Sequence, residues 1–142
     1  MKVESWTLKV ISGWGPAAVW MALIFCLSGQ PKLPPLPGLA GIDKIQHLAA
    51  YMVLGLLLYR ATAGIPLMRM RQYAQSFLIG ALYGASDEYH QSFIPGRQMS
   101  GKDWLADIAG LAIALLAIAM ISKYRANGGK RIDRGRKGIR GR

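Results

Sequence analysis

Four apolar stretches, separated by turn-forming or charged segments, set the plan of the chain. Residues 11–29, ISGWGPAAVWMALIFCLSG, carry no charge and reach the ~17–25 residues that a helix needs to cross hydrocarbon. Trp14 and Trp20 suit an interfacial position and a lipid- or helix-facing one. Residues 30–42, QPKLPPLPGLAGI, hold four prolines and read as a loop. Asp43-Lys44 then opens IQHLAAYMVLGLLLY, which Arg60 closes; Arg60 can snorkel, and residues 61–65 can extend the run. Pro66 ends that helix, and Arg69 and Arg71 fill the turn. The third stretch, residues 73–91, spaces Gly80 and Gly84, and Ala81 and Ala85, four apart, a pattern that lets helix backbones approach closely in lipid. The fourth, residues 103–121, is apolar apart from Asp103 and Asp107. Segments that are apolar all round are buried or membrane-spanning. The pattern therefore predicts an all-α protein, an integral membrane bundle of four transmembrane helices over residues 1–122.

Composition sharpens this picture. The chain is 52% hydrophobic yet carries a net charge of +11, so the two properties must be segregated. From Lys123 onward, nine Lys/Arg face the single acid Asp133, which gives +8 of the +11 and leaves +3 for residues 1–122. Residues 123–142 thus form a separate basic tail, expected to be disordered and cytoplasmic. That tail is Gly-rich and lacks interleaved aromatics, so it suits anionic lipid headgroups, and no nucleic-acid partner is expected. The single cysteine, Cys26, allows no intramolecular disulfide. A cleaved secretory leader competes for the first stretch, but no A-x-A site follows it, and retention as a span is the reading adopted.

Basic residues orient the bundle. With four spans, both termini and the 60–72 turn share one side, which holds Lys2, Lys9, Arg60, Arg69, Arg71 and the nine tail residues, fourteen in all; the other side holds Lys32, Lys44, Arg97 and Lys102, four in all. Both termini are expected in the cytoplasm, with the 30–44 and 92–102 loops outside.

This topology brings three polar clusters to the outer face. Asp43, His47 and Tyr51 form one helical stripe beside Lys44 at the start of the second span. Asp87, Glu88, His90 and Gln91 end the third, Asp103 and Asp107 begin the fourth, and Arg97 follows the Pro95-Gly96 turn. Charged groups near a bilayer are costly, and helices that meet at one end are how bundles build sites. His47, Asp87, Glu88 and Arg97 are the candidate catalytic groups; Asp43, Lys44, Tyr51, Gln91, Asp103 and Asp107 are the candidate ligand-binding groups.

The residues DKIQHLAAYMVLGLLL at 43–58 and SDEYHQSFIPGRQMSGKDWLADIAG at 86–110 resemble the VanZ-like family, small bacterial membrane proteins named after a teicoplanin-resistance accessory protein. The resemblance runs from Asp43 to about Leu116 and rests on Asp43-Lys44, His47, Tyr51, Asp87-Glu88, Gln91, Pro95, Arg97 and Asp103 in combination. Asp107 departs from it, because the family pattern leads one to expect Asn there.

Several of these residues have plainer explanations. Asp43 with Gln46, and Ser100 with Asp103, read as capping boxes that open helices. His47 and Tyr51 suit interfacial positions satisfied by a neighbouring helix, and His90 suits solvent. Adjacent helical residues diverge by about 100°, so Asp87 and Glu88 need not share a task; one is expected to pair with Arg97 while the other faces a cavity. Asp107, a turn inside its span, must pair, bind a cation or stay protonated.

Asp43, Asp87, Glu88, Asp103 and Asp107 against Lys44, Arg97 and Lys102 leave −2 with neutral histidines, so the site is no dedicated phosphate trap. Internal pairing, protonated groups or a bound cation each resolve that count. A desolvated carboxyl or His47 suits general acid or base work, and Arg97 with Lys44 suits a developing oxyanion or phosphoryl oxygen. His47, Asp87, Glu88 and Asp107 are metal-ligand types, but no spacing signature arranges them, so no metal ligand is assigned and no cofactor is named. Ser86, Ser92 and Ser100 lie in no recognisable triad order.

The resemblance implies a role in the cell envelope or in lipoglycopeptide tolerance. The expected ligand is an amphiphilic envelope molecule such as a lipid-linked precursor. The alternatives are a membrane enzyme acting on a phosphorylated or acylated lipid, and a structural partner that uses the Gly80/Gly84 face and the tail.

Overall fold

In the computed structural model the protein is all-α, and residues 2–31, 42–63 and 68–140 are described, the side chains of 2–10 and 128–140 excepted. Four helices follow one another: α1 (Lys2–Ser28), α2 (Ile42–Thr62), α3 (Arg69–Gln91) and α4 (Gly101–Arg140). The proline-rich segment 32–41 and the Pro66 turn lie outside the described residues. Arg69 and Arg71 sit in the first turn of α3 rather than in the preceding loop.

Two helices are long and apolar enough to cross a membrane, α1 over Ile11–Ser28 and α4 over Gly101–Asn127. α2 and α3, of 21 and 23 residues, have the length but not the uniform apolarity. Asp43, Lys44 and Arg60 interrupt α2, and Arg69, Arg71, Asp87 and Glu88 occupy the ends of α3. The basic tail corrects its expectation, since α4 continues as helix to Arg140. A nucleated helix extends by one hydrogen bond per residue fixed, and 123–140 contains no proline to stop it.

α4 packs most extensively on α2, while α1 and α4 make no packing contact among the described residues. α2 and α3 each touch the other three helices, α3 meeting α1 over a small contact, so α2 and α3 form the centre of the bundle. The core comprises Ala17 and Ile24 of α1, Tyr51, Leu54, Leu58 and Ala61 of α2, and Leu111 of α4. Small residues set the spacing between helices. A Cβ at Gly110 would fall on the Leu48 carbonyl oxygen, and one at Gly55 would come within 3.1 Å of Ala114 Cβ. Gly80 and Gly84 are used within the chain too: a Cβ at Gly80 would meet Leu111 Cδ2 at 2.5 Å, and one at Gly84 would meet Asp107, Tyr51 and Trp104. The Gly80/Gly84 face is therefore already covered by α2 and α4, which removes it as a docking face for another protein.

Side-chain-to-carbonyl bonds tie the helices across these seams. Trp20 Nε1 donates to Ala50 O (2.9 Å), Tyr83 Oη to Met21 O (2.6 Å) and Trp104 Nε1 to Ala81 O (3.0 Å). Much of the surface away from these seams is apolar: Val19, Leu23 and Leu27, Ile45 and Leu56, Leu78 and Leu82, Leu105, Leu116 and Met120 are all exposed. The interior, by contrast, holds Thr62, Ser76, Asp87, Glu88 and Asp107.

Candidate functional site

The turn between α3 and α4 fixes one wall of the site. Arg97 N donates to Ile94 O at 3.0 Å, and Gly96 has φ 77°. With Pro95 before that glycine, this is a type II turn, whose third position needs the left-handed backbone that glycine adopts without strain. Ser100 then caps α4, its Oγ accepting from Asp103 N at 3.3 Å. The reciprocal half of the expected capping box is absent. Ser100 N donates instead to Glu88 Oε2 (2.6 Å), and Asp103 reaches α2, accepting from Lys44 Nζ at 3.1 Å. Glu88 thus takes the place in the cap that the sequence pattern assigns to Asp103. Asp43 lies inside the first turn of α2, its Oδ1 accepting from Lys44 N (3.0 Å) and standing 3.6 Å from Lys44 Nζ.

The neighbours Asp87 and Glu88 diverge as helical geometry requires. Asp87 turns to α1, where Ser28 Oγ donates to its Oδ1 at 2.6 Å, and Gln91 Nε2 donates to its Oδ2 at 3.0 Å. Neither acid pairs directly with Arg97, contrary to expectation. Arg97 Nη1 donates to Gln91 Oε1 (3.1 Å), and Arg97 Nε donates to Gln30 O (2.9 Å), so the guanidinium reaches Asp87 only through an amide relay. One turn of helix sets Asp87 and Gln91 side by side, which leaves the Gln91 carbonyl as the nearer acceptor.

Glu88 turns the other way, toward α2 and α4. His47 Nδ1 lies 2.9 Å from Asp107 Oδ1 and 4.0 Å from Glu88 Oε1. His47 (α2), Glu88 (α3) and Asp107 (α4) place one potential ligand atom each within 4.8 Å of one another. Asp107 is fully buried and Glu88 is 2% exposed, yet Asp107 Oδ2 and Glu88 Oε1 have no hydrogen-bond partner. The Tyr51 hydroxyl, also buried, is unpartnered as well. His90 stands apart from this cluster and stacks on Phe25 with ring centroids 4.1 Å apart.

A cavity of about 660 Å³ opens between α1, α2 and α3 beside these groups. Trp20, Leu23, Ile24, Leu27, Ala50 and Val53 supply apolar wall, while Ser28, Gln30, Gln46, His47, Asp87, Gln91 and Arg97 supply polar wall. Of the candidates, His47, Tyr51, Asp87, Gln91 and Arg97 line this cavity; Asp43, Lys44, Glu88, Asp103 and Asp107 are not in its wall. The contribution of α1 was missed in the sequence. Its signal was Ser28 and Gln30, polar residues at the end of a span whose topology already assigned it to the same face.

The fold defines an all-α bundle with charged side chains buried between its helices and two helices long and apolar enough to cross a membrane. The VanZ/LLP1 family model matches residues 12–122, and the chain belongs to that family. Family membership and the two apolar helices are consistent with a membrane location. No curated protein and no solved structure matches the chain.

Proposed function

We propose that this VanZ/LLP1-family protein crosses the bacterial cytoplasmic membrane four times, with both termini inside. In this reading it uses an outward-facing cavity to recognise an amphiphilic envelope ligand such as a lipid-linked precursor, in envelope maintenance or in tolerance of teicoplanin-type lipoglycopeptides. The observation that carries the reading is the two-sided cavity, within the ~300–1,000 Å³ usual for ligand sites. An acyl or prenyl chain suits the wall of Leu23, Ile24, Leu27 and Val53. A polar head suits the Arg97–Gln91–Asp87–Ser28 relay. Apolar side chains exposed on α2 and α3 support spans for these helices also, because such surface is stable when lipid covers it. α4, at 40 residues about 60 Å long, exceeds the ~30 Å hydrocarbon core and carries its basic end to the anionic lipid surface.

The binding test uses purified protein in lipid nanodiscs and native mass spectrometry with a polyprenyl phosphate, a lipid-linked glycopeptide precursor and phosphatidylglycerol. Saturable binding of one amphiphile, weakened at least ~10-fold by Ala50→Phe, which fills the groove, or by Arg97→Ala, is the expected result; a tenfold change corresponds to ~1.4 kcal/mol. Equal binding of all three that both substitutions leave intact contradicts the reading.

One observation favours an enzyme. His47 lines the cavity and is oriented by Asp107, the pairing a general base requires. New product from a phosphorylated or acylated lipid, abolished by His47→Ala, marks that alternative.

A further inference from the structure

We propose that His47, Glu88 and Asp107 form a binding site for one divalent transition-metal cation of the Zn²⁺ or Mn²⁺ type, held between α2, α3 and α4. The geometry suits a metal. Bonds of about 2.0–2.2 Å to nitrogen and oxygen set ligand atoms roughly 3–4 Å apart around an ion. His47 Nδ1 lies 2.9 Å from Asp107 Oδ1 and 4.0 Å from Glu88 Oε1, and one ligand atom from each of the three residues falls within 4.8 Å of the others.

The second observation is independent of the clustering. Glu88 Oε1 and Asp107 Oδ2 are buried acceptors without a hydrogen-bond partner. Carboxylate oxygens bound to nothing in a low-dielectric interior are costly, whereas a cation satisfies both groups. Glu88 Oε1 faces His47 Nδ1 at a distance too long for a hydrogen bond but suited to a shared ion. Glu88 is also held as a ligand should be, because its other oxygen accepts the Ser100 backbone N–H at 2.6 Å. Gly84 lets the Asp107 carboxylate pack closely against α3, since a Cβ there would stand 3.2 Å from Asp107 Oδ2.

Charge points the same way. With His47 neutral, the trio carries two negative charges. The nearest cations are committed elsewhere: Lys44 pairs with Asp103, and Arg97 bonds Gln91 and backbone oxygens. An imidazole ligand discriminates against Mg²⁺ and Ca²⁺, which prefer oxygen, and the lack of thiolate disfavours the softest ions. Three protein ligands leave at least one coordination position open, and His47 sets the ion beside the cavity.

The test needs the metal alone and no lipid, so its outcome is independent of amphiphile recognition. Full-length protein in detergent, stripped with chelator, is titrated with Co²⁺ followed by absorption, then with competing Zn²⁺ or Mn²⁺. One equivalent is expected to bind and to be released by chelator. His47→Ala, Glu88→Gln and Asp107→Asn are expected to weaken binding at least ~10-fold, while His90→Ala, which removes the other histidine, leaves it unchanged. No saturable binding by the wild type, or undiminished binding by His47→Ala and Asp107→Asn, overturns the site. Should those variants fail to fold, the X-ray absorption spectrum of the metal-loaded wild type decides. One imidazole with oxygen neighbours supports the site; two imidazoles, sulfur, or oxygen alone overturns it.

Discussion

At Gly110 a Cβ would lie on the Leu48 carbonyl oxygen and within 2.9 Å of the Met52 amide nitrogen, so the α2–α4 contact is made backbone to backbone. Nothing at that position can rotate away. At Gly80 the obstacle is the Leu111 side chain, which has other rotamers. Gly110→Ala is therefore expected to cost about 1–3 kcal/mol and to lower the thermal-unfolding midpoint in detergent, with Gly80→Ala the milder of the two. A Gly110→Ala protein as stable as wild type would contradict this ordering. The two cases also mark what could be read from sequence. Gly80 and Gly84 announced themselves by spacing, whereas Gly110 belongs to an equally regular Ala106–Gly110–Ala114 series inside a stretch already rich in alanine. The acidic residues were similar. That Asp87 and Glu88 diverge follows from helical rotation, but which neighbour each one meets depends on tertiary packing. Ser28 and the Ser100 amide became their partners, pairings that join residues 59 and 12 positions apart and that no local pattern specifies.

At the scale of elements, hydrophobic runs placed all four helices, because a long apolar segment bounded by proline, glycine or charge has few alternatives. Their ends were less legible. α3 starts four residues before the expected Tyr73, and α4 runs on through a basic segment where charge and glycine suggested disorder. Charge is a poor stop signal when a preceding helix supplies the nucleus. The charge asymmetry still bears on direction, because basic residues are retained on the cytoplasmic side. Alkaline phosphatase fused after Arg97 is expected to be active in cells, and a fluorescent reporter fused after Arg142 is expected to fluoresce in the cytoplasm. The reverse pattern would place the α3–α4 turn, and the cavity beside it, on the inner face.

Over the whole molecule the described surface carries many exposed leucines and methionines, while Asp87, Glu88, Asp107, Thr62 and Ser76 are buried alongside the apolar core of Leu54, Leu58 and Leu111. Lipid makes the first arrangement favourable, and internal partners or ligands must make the second tolerable. Asp87 meets that requirement through Ser28 and Gln91; Glu88 and Asp107 meet it only in part. The cavity wall contributed by α1 joins the apolar surroundings to this polar centre. A site open to both chain and headgroup has its most direct test in an experimental density map of the full-length protein in a native-lipid nanodisc. The expected result is elongated density along Leu23, Ile24 and Leu27 that ends in a headgroup within hydrogen-bonding distance of Arg97 or Gln91. A cavity closed by side chains, or lipid bound only to the outer faces of α1 and α4, would contradict it.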